Sequence, residues 1–254
     1  MCLIFFSLHT HPRYRVAVAA NRDEFYQRPT EPMHFWADNQ ILAGRDVQAE
    51  GTWLGLSRHG QWAFVTNYRD PANIRPDAPS RGKLVSDFLQ SNATPAAFFQ
   101  SLAPQANAYN GFNLVAGTPN EAWYFSNYGP APGPVGPGYY GLSNALLETP
   151  WPKLVNGKKK LAHVLTANPI EPAAVFQALY DEERAKDGDL PDTGIGLERE
   201  RALSSMFIKT PVYGTRCSTV LLIDYKNRAT VVERTYDLQT FSFIDRSFEL
   251  QLTP

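Results

Sequence analysis

Cysteine is nearly absent: the 254-residue chain holds two, Cys2 and Cys217. With no CxxC pair and no His-rich spacing, a disulfide scaffold and a structural zinc site are excluded. Long apolar runs are missing too. The longest are a handful of residues, far below the roughly 20 needed to cross a bilayer as a helix. CLIFFSL, at the start, is too short for a signal peptide and lacks the basic lead of one. Neither charge is in excess, with Lys+Arg 24 against Asp+Glu 25, so neither a nucleic-acid footprint nor an anionic-membrane surface is expected. Walker, GxGxxG and HExxH motifs do not occur. His9, His11, His34, His59 and His163 show no metal-ligand spacing, so no metal site is expected. What is left is a cytoplasmic protein, one domain over 1–254, with a small molecule as substrate or ligand and no membrane span. The sequence is silent on oligomeric state.

Aromatic residues make up 13% of the chain and prolines number twenty, a mix that favours strands and turns over a helical bundle. Residues 2–8 and 14–20 read as two strands around a turn at Pro12. TWLGLS with QWAFVTN, and FNLVAGT with EAWYFSN, read as hairpins. The stretches 68–82, 129–138 and 185–198 carry loop chemistry. Helices are predicted over SRGKLVSDFLQS, over TPAAFFQSLAPQ with Thr94 as N-cap, and over WPKLVNGKKKLAHVL and EPAAVFQALYDEE. YYGLSN, CSTVLLID, ATVVERTY and FSFIDRSFEL supply further strands. A mixed or antiparallel α+β assembly satisfies this pattern, which does not by itself separate a two-sheet sandwich from a single sheet.

Cys2 is the most informative position. Removal of Met1 would put a thiol and a free α-amine on one residue, and these titrate near ~8.5 and ~8 in model compounds. The amine would then take the thiol's proton, so that one residue supplies nucleophile and base. The plain alternative is a small hydrophobe at the head of an apolar strand.

Asn21-Arg22-Asp23-Glu24 closes the second strand. In extended geometry Asn21 and Asp23 share one face while Arg22 and Glu24 take the other. If the first two strands pair as a hairpin, Asp23 or Asn21 falls near Cys2, where a carboxylate would hold the α-ammonium and raise its pKa. Asn67 and Asn144 each end a strand, where a side-chain amide is placed either to donate to an oxyanion or to cap the next turn. Arg216 stands at the entrance of an apolar strand, as an anion binder or an ordinary strand-end cation. Cys217 beside it reads as a buried small residue, with an encounter with Cys2 left open.

The N-terminal MC, AANRDEFYQRP, GTWLGLS, VTNYRD, NGFNLVAG, YGLSNALLETPWPKL and YGTRCSTVLLID resemble, in order and over essentially the whole chain, the NRDE family, whose eukaryotic members are called transport and Golgi organisation proteins. That family is similar to N-terminal-nucleophile hydrolases of the penicillin V acylase and bile-salt hydrolase branch. The resemblance implies a four-layer αββα sandwich and hydrolysis of a linear amide. It also implies roles: Cys2 as nucleophile, Asp23 beside its amine, Asn67 and Asn144 at the oxyanion, and Asn21, Arg22 and Arg216 as substrate-binding residues. One departure stands out. The acylases carry arginine three positions before the aspartate, where this chain has Ala20, and Arg22 on a strand points away from Asp23. Two functions follow as expectations. One is an N-terminal-cysteine amidohydrolase for a small or acyl substrate, with no cofactor required. The other is a non-enzymatic carrier of haem or an acyl lipid or acyl-CoA, in which Trp36, Trp53, Trp62 and Tyr68 line an apolar cavity.

Overall fold

A computed structural model describes residues 2–37 and 40–253. Its strands are β1 (Cys2–Leu8), β2 (Tyr14–Phe25), β3 (Thr30–Phe35), β4 (Ile41–Asp46), β5 (Leu54–Ser57), β6 (Trp62–Asn67), β7 (Phe112–Gly117), β8 (Ala122–Ser126), β9 (Gly133–Pro134), β10 (Gly138–Leu142), β11 (Tyr213–Asp224), β12 (Arg228–Tyr236) and β13 (Phe243–Gln251). The α-helices are α1 (Gly82–Gln90), α2 (Pro95–Leu102), α3 (Pro152–Leu165), α4 (Pro172–Leu179) and α5 (Leu197–Ala202). They build two antiparallel sheets, ordered β10-β1-β2-β11-β12-β13 and β3-β4-β5-β6-β7-β8-β9.

Side-chain alternation turns these sheets into four layers. Ile4, Phe6, Leu8, Val16, Val18, Leu221 and Ile223 of the first sheet meet Leu42, Leu54, Leu56, Trp62, Phe64 and Val115 of the second. The opposite face of the first sheet, with Leu3, Phe5, Ala17, Ala19, Val220 and Leu222, is covered by Leu154, Leu161 and Leu165 of α3 and by Val175, Phe176 and Leu179 of α4. Leu84, Val85 and Phe88 of α1, with Phe99 and Leu102 of α2, cover Ile41, Ala43, Ala63, Val65 and Leu114 of the second sheet. The result is the αββα sandwich that the resemblance implied.

β1 explains why its sequence reads as a continuous apolar run. It lies inside a sheet covered on both faces, so all seven of its residues are buried. Gly157 sets the approach of α3 to that strand. A Cβ there would lie 2.2 Å from Phe5 Cζ and 2.5 Å from Met206 Sδ, so the glycine that weakens the helix in isolation is what lets it dock.

Several elements depart from the sequence reading. β2 continues through Asn21-Arg22-Asp23-Glu24 to Phe25 because β11 pairs with it along that length. β3 and β4 form in a stretch that carries no strand signature. Pro32 is tolerated because β3 is a sheet edge whose register shifts between Glu31 and His34. The Pro/Gly segment 129–138 supplies β9, α5 begins in the tail of the loop 185–198, and residues 71–73 make a 3-10 turn. Thr94 does cap α2, its Oγ1 accepting from the Ala97 N–H at 3.3 Å. Among the described residues no helix is long and apolar enough to cross a membrane.

Candidate active site

The hairpin of β1 and β2 sets Cys2 directly opposite Arg22, and β11 sets Cys217 opposite Arg22 on the other side. Directly opposed residues share a face, so Cys2, Arg22 and Cys217 all point between the sheets. Asn21 and Asp23 point to the helical layer. The two Cα atoms are two strand spacings apart, roughly 10 Å, beyond the ~7 Å Cα limit for a disulfide. Burial pushes the Cys217 thiol well up, and the nearby Glu233 carboxylate adds to the effect. Cys217 is therefore the buried small residue of the plainer reading.

Cys2 is 7% exposed and opens onto a cavity of about 490 Å³. Arg22, Asp23, Trp53, Asn67 and Arg81 also line it. Burial pushes the Cys2 thiol up and the Asp23 carboxylate adds to this. The Arg22 guanidinium and the Asp23 backbone N–H pull the other way. Arg22 lies 4.0 Å over the Trp53 ring and its Nη1 donates to Thr30 Oγ1 at 3.0 Å. It points away from Asp23 as expected, and this carries it onto the face of Cys2. Ala20, two residues back, shares that face.

Asp23 is 1% exposed, and its Oδ1 accepts from the Thr215 hydroxyl at 2.7 Å. Burial pushes its carboxyl up, opposed chiefly by the ammonium of Lys153. Asn67 ends β6 on the cavity wall, and its side-chain amide makes no hydrogen bond among the described residues.

Three expected site residues lie off the cavity lining. Asn144 is 1% exposed and lines neither large cavity; its Nδ2 donates to the Asn67 carbonyl at 3.0 Å, which fixes Asn67. Asn21 is fully buried, donating to the Leu179 and Met206 carbonyls at 3.1 and 2.9 Å and accepting from Ser218 at 2.6 Å. Its face and its three partners make it a clamp between sheet and helix, away from the cavity lining. Arg216 sits at the register shift of β11, and its guanidinium donates to the Phe25 carbonyl at 3.0 Å and to that of Arg28. It ties down the turn after β2 and does not line the cavity.

A second cavity, about 620 Å³, adjoins the first through Glu24, Asn67, Ile74, Arg81 and Asn110. Phe25, Tyr68, Ile195, Leu203 and Val212 give it an apolar wall. Three of its rim side chains stand unusually exposed: Phe25 at 52%, Ile74 at 65% and Val212 at 64%. Of the four aromatics expected to line a cavity, Trp53 and Tyr68 do. Trp36 and Trp62 are core, their indoles donating to Ala43 and Thr118 carbonyls at 3.3 and 3.0 Å.

Sequence reasoning missed the buried polar cluster behind Asp23. Arg69 pairs with Glu200 at 2.7 Å, lies 4.8 Å over Trp151, and its backbone N–H donates to Asn144. Lys153, in the first turn of α3, is 4% exposed beside them. Arg69 and Lys153 lie in VTNYRD and PWPKL, so the signal was present as a charge inside a motif, without a spacing that declared it.

The model of a family described as Transport and Golgi organisation 2 matches residues 1–238. A mouse protein named Transport and Golgi organization 2 homolog is 37% identical over 275 residues, covering 99% of each chain. The human homolog is likewise 37% identical with the same coverage, and the Drosophila melanogaster protein is 27% identical over 92% of each. Among solved structures, the Caenorhabditis elegans ortholog of N-acylethanolamine-hydrolyzing acid amidase superposes with a TM-score of 0.51 at 12% identity, over 87% of this chain and 92% of that one. The two chains thus share the αββα sandwich fold.

Proposed function

The chain belongs to the Transport and Golgi organisation 2 family, and from that premise and the site's geometry we propose that it is an N-terminal-cysteine amidohydrolase acting on an acyl amide. The observation that carries this reading is the meeting of Cys2, Arg22, Asp23 and Asn67 on one cavity that opens into an apolar chamber.

With Met1 removed, the Cys2 α-amine takes the thiol proton and the sulfur attacks the amide carbonyl carbon. The negative charge that develops on the carbonyl oxygen is met by the Asn67 side-chain amide, whose backbone Asn144 holds still. The tetrahedral intermediate collapses, the C–N bond breaks, and the α-ammonium gives its proton to the departing amine. Water, deprotonated by the same α-amine, then attacks the thioester and releases the acid and the thiol. Asp23, fixed by Thr215, orients the α-amine. The chamber of about 620 Å³ takes the acyl group, within the usual range for a ligand-sized pocket. The arginine-lined recess takes the amine side.

The same chamber favours a second reading, a carrier that holds an acyl lipid without cleaving it. Haem suits the residues less well. Among the described residues neither cavity is lined by histidine or methionine.

The test uses protein shown by intact mass and N-terminal sequencing to begin at Cys2. It is incubated with a p-nitrophenyl ester of a medium-chain fatty acid. Acylation of the Cys2 sulfur, located by peptide mass and followed by turnover, is expected. Chamber occupancy with an unmodified Cys2 would leave the carrier reading and remove the hydrolase.

A further inference from the structure

Arginine dominates the recess at Cys2. Arg22, Arg28, Arg75 and Arg81 line it, against the carboxylates of Asp23, Glu24 and Asp46. Each carboxylate is already engaged. Asp46 holds Arg28 at 2.8 Å and accepts from the Gln48 and Ala49 N–H groups, both at 3.2 Å. Glu24 accepts from the Phe25 N–H at 2.8 Å, and its other oxygen lies 4.0 Å from the same Arg28. Asp23 faces the helical layer and accepts from Thr215 at 2.7 Å. Arg28 is therefore shared by two carboxylates. Arg75 is exposed, its Nη2 spent on the Asn107 and Ala108 carbonyls at 2.8 and 2.7 Å. Arg22 and Arg81 are left, and among the described residues neither has a carboxylate within ion-pair distance. A processed N-terminus would add positive charge here, not negative.

Both guanidinium groups are held in place. Arg22 is 5% exposed and stands opposite Cys2, where paired Cα atoms lie roughly 5 Å apart. Trp53 at 4.0 Å covers one face of it, and its Nη1 donates to Thr30 Oγ1 at 3.0 Å. Arg81 lines both the recess and the chamber, at their junction. Its Nη1 donates to the Gly111 carbonyl at 3.1 Å. The backbone beside it is pinned, with the Thr52 N–H donating to the Gly82 carbonyl at 3.2 Å. A Cβ at Gly51 would lie 2.5 Å from the Gly82 carbonyl carbon, so the approach is close enough to need glycine. Each arginine thus spends Nη1 on the protein and keeps Nη2 and Nε. A buried cation calls for an anion, and a guanidinium fork matches a carboxylate.

We propose that Arg22 and Arg81 form a carboxylate subsite beside Cys2, so that the amide cleaved is that of an N-acyl α-amino acid, with Arg81 setting the preference. This rests on the N-terminal-cysteine reading. The position of the two cations fixes the class of substrate. Arg22 lies beside the nucleophile and Arg81 at the mouth of the acyl chamber, so the anion they hold is close to the scissile bond. In an N-acyl α-amino acid a single carbon separates the amide nitrogen from the carboxylate. With the acyl chain in the chamber of about 620 Å³, the amino-acid part occupies the recess of about 490 Å³. Cleavage releases the fatty acid from the chamber side and the free amino acid from the recess.

The test compares amine release from N-decanoylglycine and from N-decanoylethanolamine, a neutral amide of nearly the same length, using protein that begins at Cys2. The acid is expected to have the higher kcat/KM by about 10–100-fold, as a charge-assisted pair gives. Arg81→Met should cut that ratio about tenfold or more. Arg81→Lys, which keeps a point charge without the fork, should fall between. A parent ratio near one, or a ratio that Arg81→Met leaves in place, overturns the proposal. If Arg81→Met does not fold, the parent ratio and Arg81→Lys decide. Calorimetric binding of the same two amides to Cys2→Ala, which cannot form the thioester, separates the subsite from the chemistry. Preference for the acid in binding, with no turnover by the parent, would sink the hydrolase reading and keep the subsite. Faster turnover of the ethanolamide would keep the hydrolase and remove the subsite.

Discussion

Replacing Lys153 by methionine should change how stability depends on pH. An ammonium ordinarily titrates at 10.5, and this one is held down to about 8 in the folded chain. Between those values the unfolded state binds more protons than the folded state, so stability rises with pH across that window. Below pH 8 the full cost of burying the charge is present. A shift of about 2.5 units corresponds to about 3 kcal/mol. Methionine fills nearly the same volume but leaves the buried Asp23 without its nearby cation, which adds a loss of stability beneath the pH-dependent difference. Urea unfolding, followed by tryptophan fluorescence at pH 7, 8, 9 and 10, gives the difference between variant and parent at each pH. Tyrosine and thiol titrations affect both proteins and cancel. The variant's stability relative to the parent should be highest at pH 7 and fall by about 3 kcal/mol by pH 10.5. A difference that stays constant over the range would mean that Lys153 titrates normally and that the buried-charge argument is wrong.

Other outcomes follow from the same contacts. Glu200→Gln leaves Arg69 buried without its ion partner and should cost about 3–5 kcal/mol in urea unfolding at neutral pH. The double replacement of Arg69 and Glu200 by apolar residues should recover most of that loss. Asn67→Ala is expected to slow Cys2 acylation by about 10²–10³-fold while shifting the unfolding midpoint little, because its side chain bonds nothing in the resting protein; an unchanged acylation rate would place the oxyanion elsewhere. Gly157→Ala forces a methyl into Phe5 and Met206 and should destabilise by about 1–3 kcal/mol, read by thermal unfolding. Ile74→Asp at the chamber rim should weaken binding of a fluorescent fatty acid with no loss of fold; equal affinity would move the acyl site out of the chamber.

Where the sequence was legible, local chemistry and long-range structure agreed. Thr94 followed by Pro95 marks a helix start because the cap needs only its own helix. The pairing of Cys2 with Arg22 follows from two strands and a short turn. Illegible parts depended on partners distant in the chain. β3 and β4 are strands because the sheet edge recruits them, against the prolines that punctuate 28–32. Asn21 and Asn67 show the same limit at the site. In the sequence both read as asparagines at strand ends, indistinguishable by spacing, although β2 runs on past Asn21 to Phe25. One faces the carbonyls of Leu179 and Met206, more than 150 positions away, and is consumed as structure; the other faces an open cavity and stays free. Arg216 lies off the cavity lining for a related reason, at a register shift where it bonds the Phe25 turn. Ala20 shows the converse. Read along the chain, it looks like a lost cation. Across the sheet, Arg22 carries a guanidinium on that same face, stacked on Trp53, the residue before β5 of the other sheet. Motifs record which residues are kept together in sequence, whereas charge at a site is kept on a face, and a strand lets the second be satisfied two residues away from the first.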